Sequence, residues 1–259
     1  MKTAQAQGEL WGARATDWLQ QEAAWREVYR TVLRKAGVGA GMRLLDIGCG
    51  AGGALVVGRS LGADVAGLDA AQALVAAARQ RLPGARIEVG EMEQLPFDDA
   101  AFDVVTGFNS FQFAGDAVQA LAEARRVCKR GGTVMILVWG KREECELVSG
   151  TMAAVFALLP PAPAGASAPA FAEPGVIEGL MATAGLASTA AGAFASPLVF
   201  PDAGAAARAV MSAAARAIRH AGEAAVREAV LGTLPRFTRP DGSVVWNNRF
   251  RWVAATPRL

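Results

Sequence analysis

Residues 43–53 read RLLDIGCGAGG: a short, mostly apolar run, Arg43–Ile47, closed at once by Gly48, Gly50 and Gly53 in G-x-G-x-x-G spacing. Such a run, opening directly into glycines, reads as a buried parallel strand feeding a tight strand-to-helix turn. Glycine gives that turn its backbone freedom and lets a ligand approach the main chain with no Cβ in the way.

Outward from this turn the same unit recurs. The spacing predicts a helix over residues 54–61, a strand over 64–68, a helix over 71–81, strands over 87–90 and 102–107, a helix over 118–129 and a strand over 133–139, TVMILVW. Strands alternating with helices imply a parallel sheet with right-handed crossovers and helices on both faces, a doubly wound α/β fold. Ligands of such sheets lie beyond the carboxyl ends of the strands, so the loops after Ile47, Leu68, Gly90 and Gly107 are expected to share one crevice. Upstream, residues 16–35 have helical apolar spacing ended by Gly37 and Gly39. Downstream, the pattern predicts a helix over 141–159, a proline-alanine linker over 160–172, a helix over 174–184 and an alanine-rich helical stretch over 203–234 interrupted at Gly222. Two β-like pieces, 244–246 and 250–255, are expected as edge strands. The chain thus divides into an amino-terminal helical lid (1–40), a core (41–140), a cap insertion (141–172) and a carboxyl-terminal part of the sheet with a long helical stretch (173–259).

With 259 residues, 53% hydrophobic and 19% charged, and a net charge of +2, the composition is that of a globular chain. Its basic residues do not cluster beyond short runs such as Arg125, Arg126, Lys129 and Arg130, which disfavours a nucleic-acid partner. Cys49, Cys128 and Cys145 lack metal-ligand spacing, so neither a disulfide framework nor a metal site is expected. Residues 1–10 hold no apolar run, and the uncharged stretch after Leu147 is broken by prolines, so no secretory signal and no membrane span are expected and the cytoplasm is the default location.

Asp69 stands at the tip of the second strand, 21 positions after Gly48, where a carboxylate accepts hydrogen bonds from ribose hydroxyls. Dinucleotides and S-adenosylmethionine both carry a ribose, and a turn that binds nothing also remains open. Asp46, two residues before the first glycine, would repel a pyrophosphate but attract the ammonium of a methionyl tail. Its plain alternative is a carboxylate capping nearby amides.

These motifs resemble the class I S-adenosylmethionine-dependent methyltransferase family, especially its small-molecule branch. LLDIGCGAGG looks like the family's first cofactor motif, GLDAA its second, EVGEMEQLPFDDAAFDVVTGFNSFQF its third and fourth, and ARRVCKRGGTVMILVW the helix, turn and fifth strand that follow. FAEPGVIEGLMATAGL and WNNRFRWVAATP resemble, less specifically, the helix before strand six and the antiparallel seventh strand. The resemblance implies a seven-stranded Rossmann-like sheet, mostly parallel with an antiparallel last strand, plus a helical cap. It implies that Gly48, Cys49 and Gly50 line the methionyl part, Asp46 holds its amino group and Asp69 takes the ribose hydroxyls. Ala70 would lie against the adenine and Glu91 with Met92 at its edge, although the family usually has aspartate where Glu91 stands. Asn109 falls where the family presents residues to the methionyl tail and the substrate mouth.

Methyl transfer from a sulfonium releases a neutral leaving group, so alignment of acceptor and methyl is the main contribution asked of the protein. No catalytic base is assigned: His220, the lone histidine, falls on a helix where a surface or packing role is expected, and Cys49 is read as a small spacer. Trp11 and Trp18 are lid candidates, and the weakly charged cap suggests an apolar pocket for a small-molecule acceptor. Two rivals stand beside this reading: a non-catalytic cofactor-binding protein of the same fold, and an NAD-dependent dehydrogenase.

Overall fold

The structure, a computed structural model, describes residues 3–160 and 170–258; the middle of the expected proline-alanine linker lies outside the described residues, as do Met1, Lys2 and Leu259. Three helices lead in: α1 (Ala4–Gly12), α2 (Ala15–Ala24) and α3 (Arg26–Lys35). The single helix expected over 16–35 breaks at Trp25, where neither glycine nor proline stands. Packing sets the break, because the Trp25 ring is turned in against Trp139 and Phe250, with centroids 5.0 and 5.1 Å away.

Then come β1 (Arg43–Ile47), α4 (Gly53–Ser60), β2 (Asp64–Asp69), α5 (Gln72–Arg81), β3 (Arg86–Val89), β4 (Phe102–Phe108), α6 (Ala117–Val127) and β5 (Cys128–Trp139). These elements match the sequence pattern closely, except that β5 starts early. Cys128 pairs with Phe102 before a bulge carries the register to Val104 and Thr133.

The remaining elements are α7 (Ala153–Phe156), α8 (Val176–Thr183), β6 (Leu186–Phe200), α9 (Ala203–Ala213), α10 (Ala215–Ala221), α11 (Glu223–Thr233) and β7 (Val244–Pro257). Three expectations are corrected here. The helix over 141–159 resolves into a 3-10 turn, a π-helical turn (Leu147–Met152) and α7. Side-chain bonds pin this segment to β7: Leu147 N–H donates to Asn248 Oδ1 at 3.2 Å, and Trp246 Nε1 to Thr151 Oγ1 at 3.2 Å. The stretch over 203–234 is three helices, broken at Ala214 as well as at the expected Gly222. The two β-like pieces are one continuous strand, β7, lying inside the sheet with β5 on one side and β6 on the other.

The described sheet has the order β3-β2-β1-β4-β5-β7-β6. Strands β1 to β5 run parallel, and β7 is antiparallel to both β5 and β6. Alternate residues of each strand feed two cores. Leu44, Val104, Met135 and Leu137 pack with α3, α4 and α9 on one face, whereas Leu45, Val105, Val134 and Ile136 pack with α6 and α8 on the other. Strand order reverses between β1 and β4, so their carboxyl ends open the crevice where a doubly wound sheet takes its ligand.

Candidate functional site

The glycine turn between β1 and α4 is held by carboxylates. Gly48 takes a left-handed φ of 76°, and a Cβ there would sit 2.4 Å from Ser110 Cβ. Gly52, which the G-x-G-x-x-G spacing passes over, also has a left-handed φ, 83°. Gly53 begins α4, where a Cβ would lie 2.8 Å from Glu22 Oε2. Gly50 N–H donates to Asp69 Oδ2 at 2.8 Å, and the next amide, Ala51 N–H, donates to Glu22 Oε1 at 2.9 Å. The other oxygen of Asp69 accepts from Ala71 N–H at 2.8 Å. A phosphate-binding turn offers such amides to an anion; here two successive ones are taken by acids from two different elements.

Asp46, 2% exposed, completes an acidic cluster. Burial pushes its carboxyl up to about 8 despite a 2.8 Å hydrogen bond from Thr106 Oγ1, with repulsion from Asp69 and Glu22 adding to the rise. Burial likewise raises Asp69 and Glu22. The cation that meets this cluster is Arg81, whose Nη1 lies 2.6 Å from Glu22 Oε2 and 2.6 Å from Ala51 O. Cys49 is buried between the glycines and its thiol is pushed well above its ordinary value, mainly by burial, consistent with a spacer rather than a nucleophile.

Helices α1 and α2 lie across the crevice and touch all four of its loops. Gly8 backs onto Ala70, where a Cβ would be 2.4 Å from the Ala70 carbonyl oxygen. Ala4 N–H donates to Glu91 Oε2 at 3.2 Å, and Thr3 Oγ1 to Phe113 O at 2.9 Å. Trp11 packs edge-on to Trp18 and to Phe113, both at 5.3 Å. Trp18 Nε1 and Glu22 Oε1 fill the space a Gly50 Cβ would take, at 2.9 and 3.0 Å. Met92 is half-buried against the core that includes α6. Glu22 and Arg81 are the functional candidates that sequence reading missed, since nothing in the local pattern of α2 or α5 announces a partner on a distant turn.

At the β4 and β5 ends the surroundings turn apolar. Asn109, with φ of 52°, accepts from Trp139 N–H through Oδ1 at 2.9 Å and so straps the two strand ends together. Its side-chain oxygen is thereby engaged at the ends of β4 and β5. Around this strap Trp25, Tyr29, Phe108, Trp139 and Phe250 pack as an aromatic cluster with centroids 4.9–6.1 Å apart. Trp25 Nε1 is buried there without a partner. His220 is exposed on α10. A cavity of about 430 Å³ between α7 and α10 involves none of the glycine-turn residues.

A methyltransferase-domain family model matches residues 45–136, the span from β1 to β5. A malonyl-[acyl-carrier protein] O-methyltransferase of Erwinia pyrifoliae is 32% identical over 206 residues, covering 80% of this chain and 74% of that one. The chain belongs to the class I S-adenosylmethionine-dependent methyltransferase family. A protein of the same printed name from Serratia marcescens is 35% identical over 113 residues, 44% of each chain. The chain spans half or less of the length of several curated relatives it matches, 30%, 44% and 50%. The fold is also that of the geranyl diphosphate C-methyltransferase of Streptomyces coelicolor, solved with S-adenosyl-L-homocysteine, at a TM-score of 0.51 and 18% identity over 89% of this chain and 78% of that one. Among the described residues no helix is long and apolar enough to cross a membrane, and no group of three or more candidate side chains could hold a metal ion.

Proposed function

We propose that the protein transfers the methyl group of S-adenosylmethionine to a small organic acceptor by in-line displacement. The observation that carries this reading is the acidic lining of the glycine turn. Its Gly50 and Ala51 amides are already held by Asp69 and Glu22, and three raised carboxylates meet one arginine. A pyrophosphate would find few free donors and a repulsive field there, which disfavours the dehydrogenase rival, whereas a ligand bearing ammonium and sulfonium charges would supply the missing countercharge. The donor set therefore fits S-adenosylmethionine.

When bound, S-adenosylmethionine supplies an electrophilic methyl on a cationic sulfur. In this reading Asp46 holds the methionyl ammonium beside Gly48, Cys49 and Gly50, while Asp69 offers its remaining lone pairs to the ribose. Ala70 lies against the adenine, with Glu91 and Met92 at its edge. Helices α1 and α2, with Trp11 and Trp18, act as a lid that excludes water over these groups, and the strap at Asn109 fixes the mouth where acceptor meets methyl. The aromatic cluster by Trp139 forms an apolar wall for the acceptor, and alignment, rather than a dedicated base, lowers the barrier. Among the curated relatives, the name demethylmenaquinone methyltransferase supports an acceptor with an apolar body, whereas malonyl-[acyl-carrier protein] O-methyltransferase names a polar acyl group on a carrier protein, so the relatives select no acceptor.

Calorimetric titration with S-adenosylmethionine, S-adenosylhomocysteine and NAD tests the reading. Both adenosyl compounds are expected to bind saturably, and Asp69→Ala and Asp46→Ala to weaken them by on the order of a hundredfold and tenfold. NAD binding in place of the adenosyl compounds would overturn it. Binding without turnover of any acceptor would favour the non-catalytic rival.

A further inference from the structure

Glu22 is the unassigned group with the strongest geometry. It is 4% exposed although it belongs to α2, outside the core sheet, and it crosses 29 positions of sequence to cap Ala51 N–H. Its carboxylate stands 3.0 Å from the Cβ position of Gly50 and 2.8 Å from that of Gly53. The middle glycine of such a turn is where the backbone comes nearest its ligand. At that point the acid caps the amide next to the one held by Asp69, close enough to Asp46 to raise its carboxyl, and Arg81 is the cation paired with it, so a second cation would be favoured there.

We infer that Glu22 is a positioning residue for the cofactor: carried in by α2, it closes the anionic cup begun by Asp46 and Asp69 and selects ligands that bear the methionyl ammonium. This inference rests on the proposed use of S-adenosylmethionine. It makes docking of the amino-terminal helices and recognition of the methionyl tail one event, because the side chain that latches α2 to the turn is the side chain that faces the cation. Arg81 is then the stand-in: Glu22 is shared between it and the ligand, while the second contact of Arg81, to Ala51 O, keeps the turn in place.

Two variants and three ligands separate this from a merely structural role. S-adenosylmethionine and S-adenosylhomocysteine carry the amino-acid tail; methylthioadenosine has the same nucleoside without it. Glu22→Gln is expected to weaken the two tailed compounds by about tenfold and to leave methylthioadenosine unchanged. If Glu22 only docks α2, all three affinities fall together, and the inference is overturned; it is equally overturned if none changes. Should Glu22→Gln fail to fold, Arg81→Met decides. Removing the competing cation tightens the tailed compounds relative to methylthioadenosine if Glu22 faces the ammonium, and weakens all three alike if the ion pair is only a latch. A native chain that binds none of the three would instead sink the cofactor reading itself, so the two failures are told apart.

Discussion

The two halves of the crevice are built by opposite means. On the β1–β4 side, backbone amides around a glycine turn are taken up by the carboxylates of Asp69 and Glu22, with Asp46 buried beside them. On the β5–β7 side, rings from four separate stretches of sequence, Trp25 with Tyr29, Phe108, Trp139 and Phe250, pack together, largely edge to face, with little polar chemistry. In the proposed reading the first half meets a ligand whose charged groups do not vary, and that demand fixes residue types at fixed spacing. The second half needs only shape and apolar area, which many combinations of large side chains supply.

The largest expected effect tests whether the halves are separable. Phe250 is fully buried and touches Trp25, Trp139 and Phe194. Phe250→Ala is expected to cost about 3–5 kcal/mol of stability, read from the guanidinium midpoint, while affinity for S-adenosylhomocysteine at low temperature stays within about twofold. A parallel loss of affinity would show that the aromatic side organises the acidic side, and the contrast drawn here would fail.

The same contrast explains what the sequence disclosed. The run 43–53, Asp46 and Asp69 were legible because each is a local pattern whose physics is local: a strand that must be apolar, a turn that must be glycine, an acid at a strand tip. Strand β6 was not assigned from its own residues, since ASTAAGAFAS carries little β propensity and only its pairing with β7 makes it a strand. The break at Trp25 and the π-helical turn at Leu147 were hidden for a related reason: each is set by a side chain on β7, more than a hundred positions away, and not by a local breaker. Glu22 is the instructive omission within the site. In α2 it reads as one more charged residue on a helix, and only the fold shows that it is buried at Ala51.

A smaller effect sharpens the electrostatic half. Asp46 is raised from 3.8 to about 8 in the folded chain, so between those values the folded state holds a proton that the unfolded state has lost. Stability of the ligand-free protein is therefore expected to fall as pH rises through this window and to level off above it. Asp46→Asn removes the titrating group. At pH 9 it should exceed the native chain by on the order of 2 kcal/mol, since relaxation and water blunt the shift of a buried carboxylate, and the advantage should vanish near pH 4. A cationic ligand favours the ionised form. Binding of S-adenosylmethionine below pH 8 should thus release a proton, seen as a buffer-dependent heat, and tighten toward pH 8. Heats independent of buffer would mean that Asp46 does not face the cation.

The smallest effect concerns the boundary between the halves, where α2 passes from Trp18 over the turn to Trp25 in the aromatic cluster. Trp18→Phe keeps a ring against Trp11 but deletes the N–H that reaches Glu22 at 3.2 Å. That bond joins two side chains of α2 itself and braces the Glu22 carboxylate that caps Ala51 N–H, so its loss should loosen that cap and weaken α2 docking by about 0.5–1 kcal/mol. If α2 is part of a lid, the change appears as an S-adenosylhomocysteine dissociation rate raised about two- to fivefold with the association rate nearly unchanged, because a lid closes over a ligand that has already entered. An equal fall in the association rate would instead mean that the docked helix is already required for entry. The helix would then be a fixed wall of the acidic half, and its continuity with Trp25 would be the physical link that makes the two halves a single site.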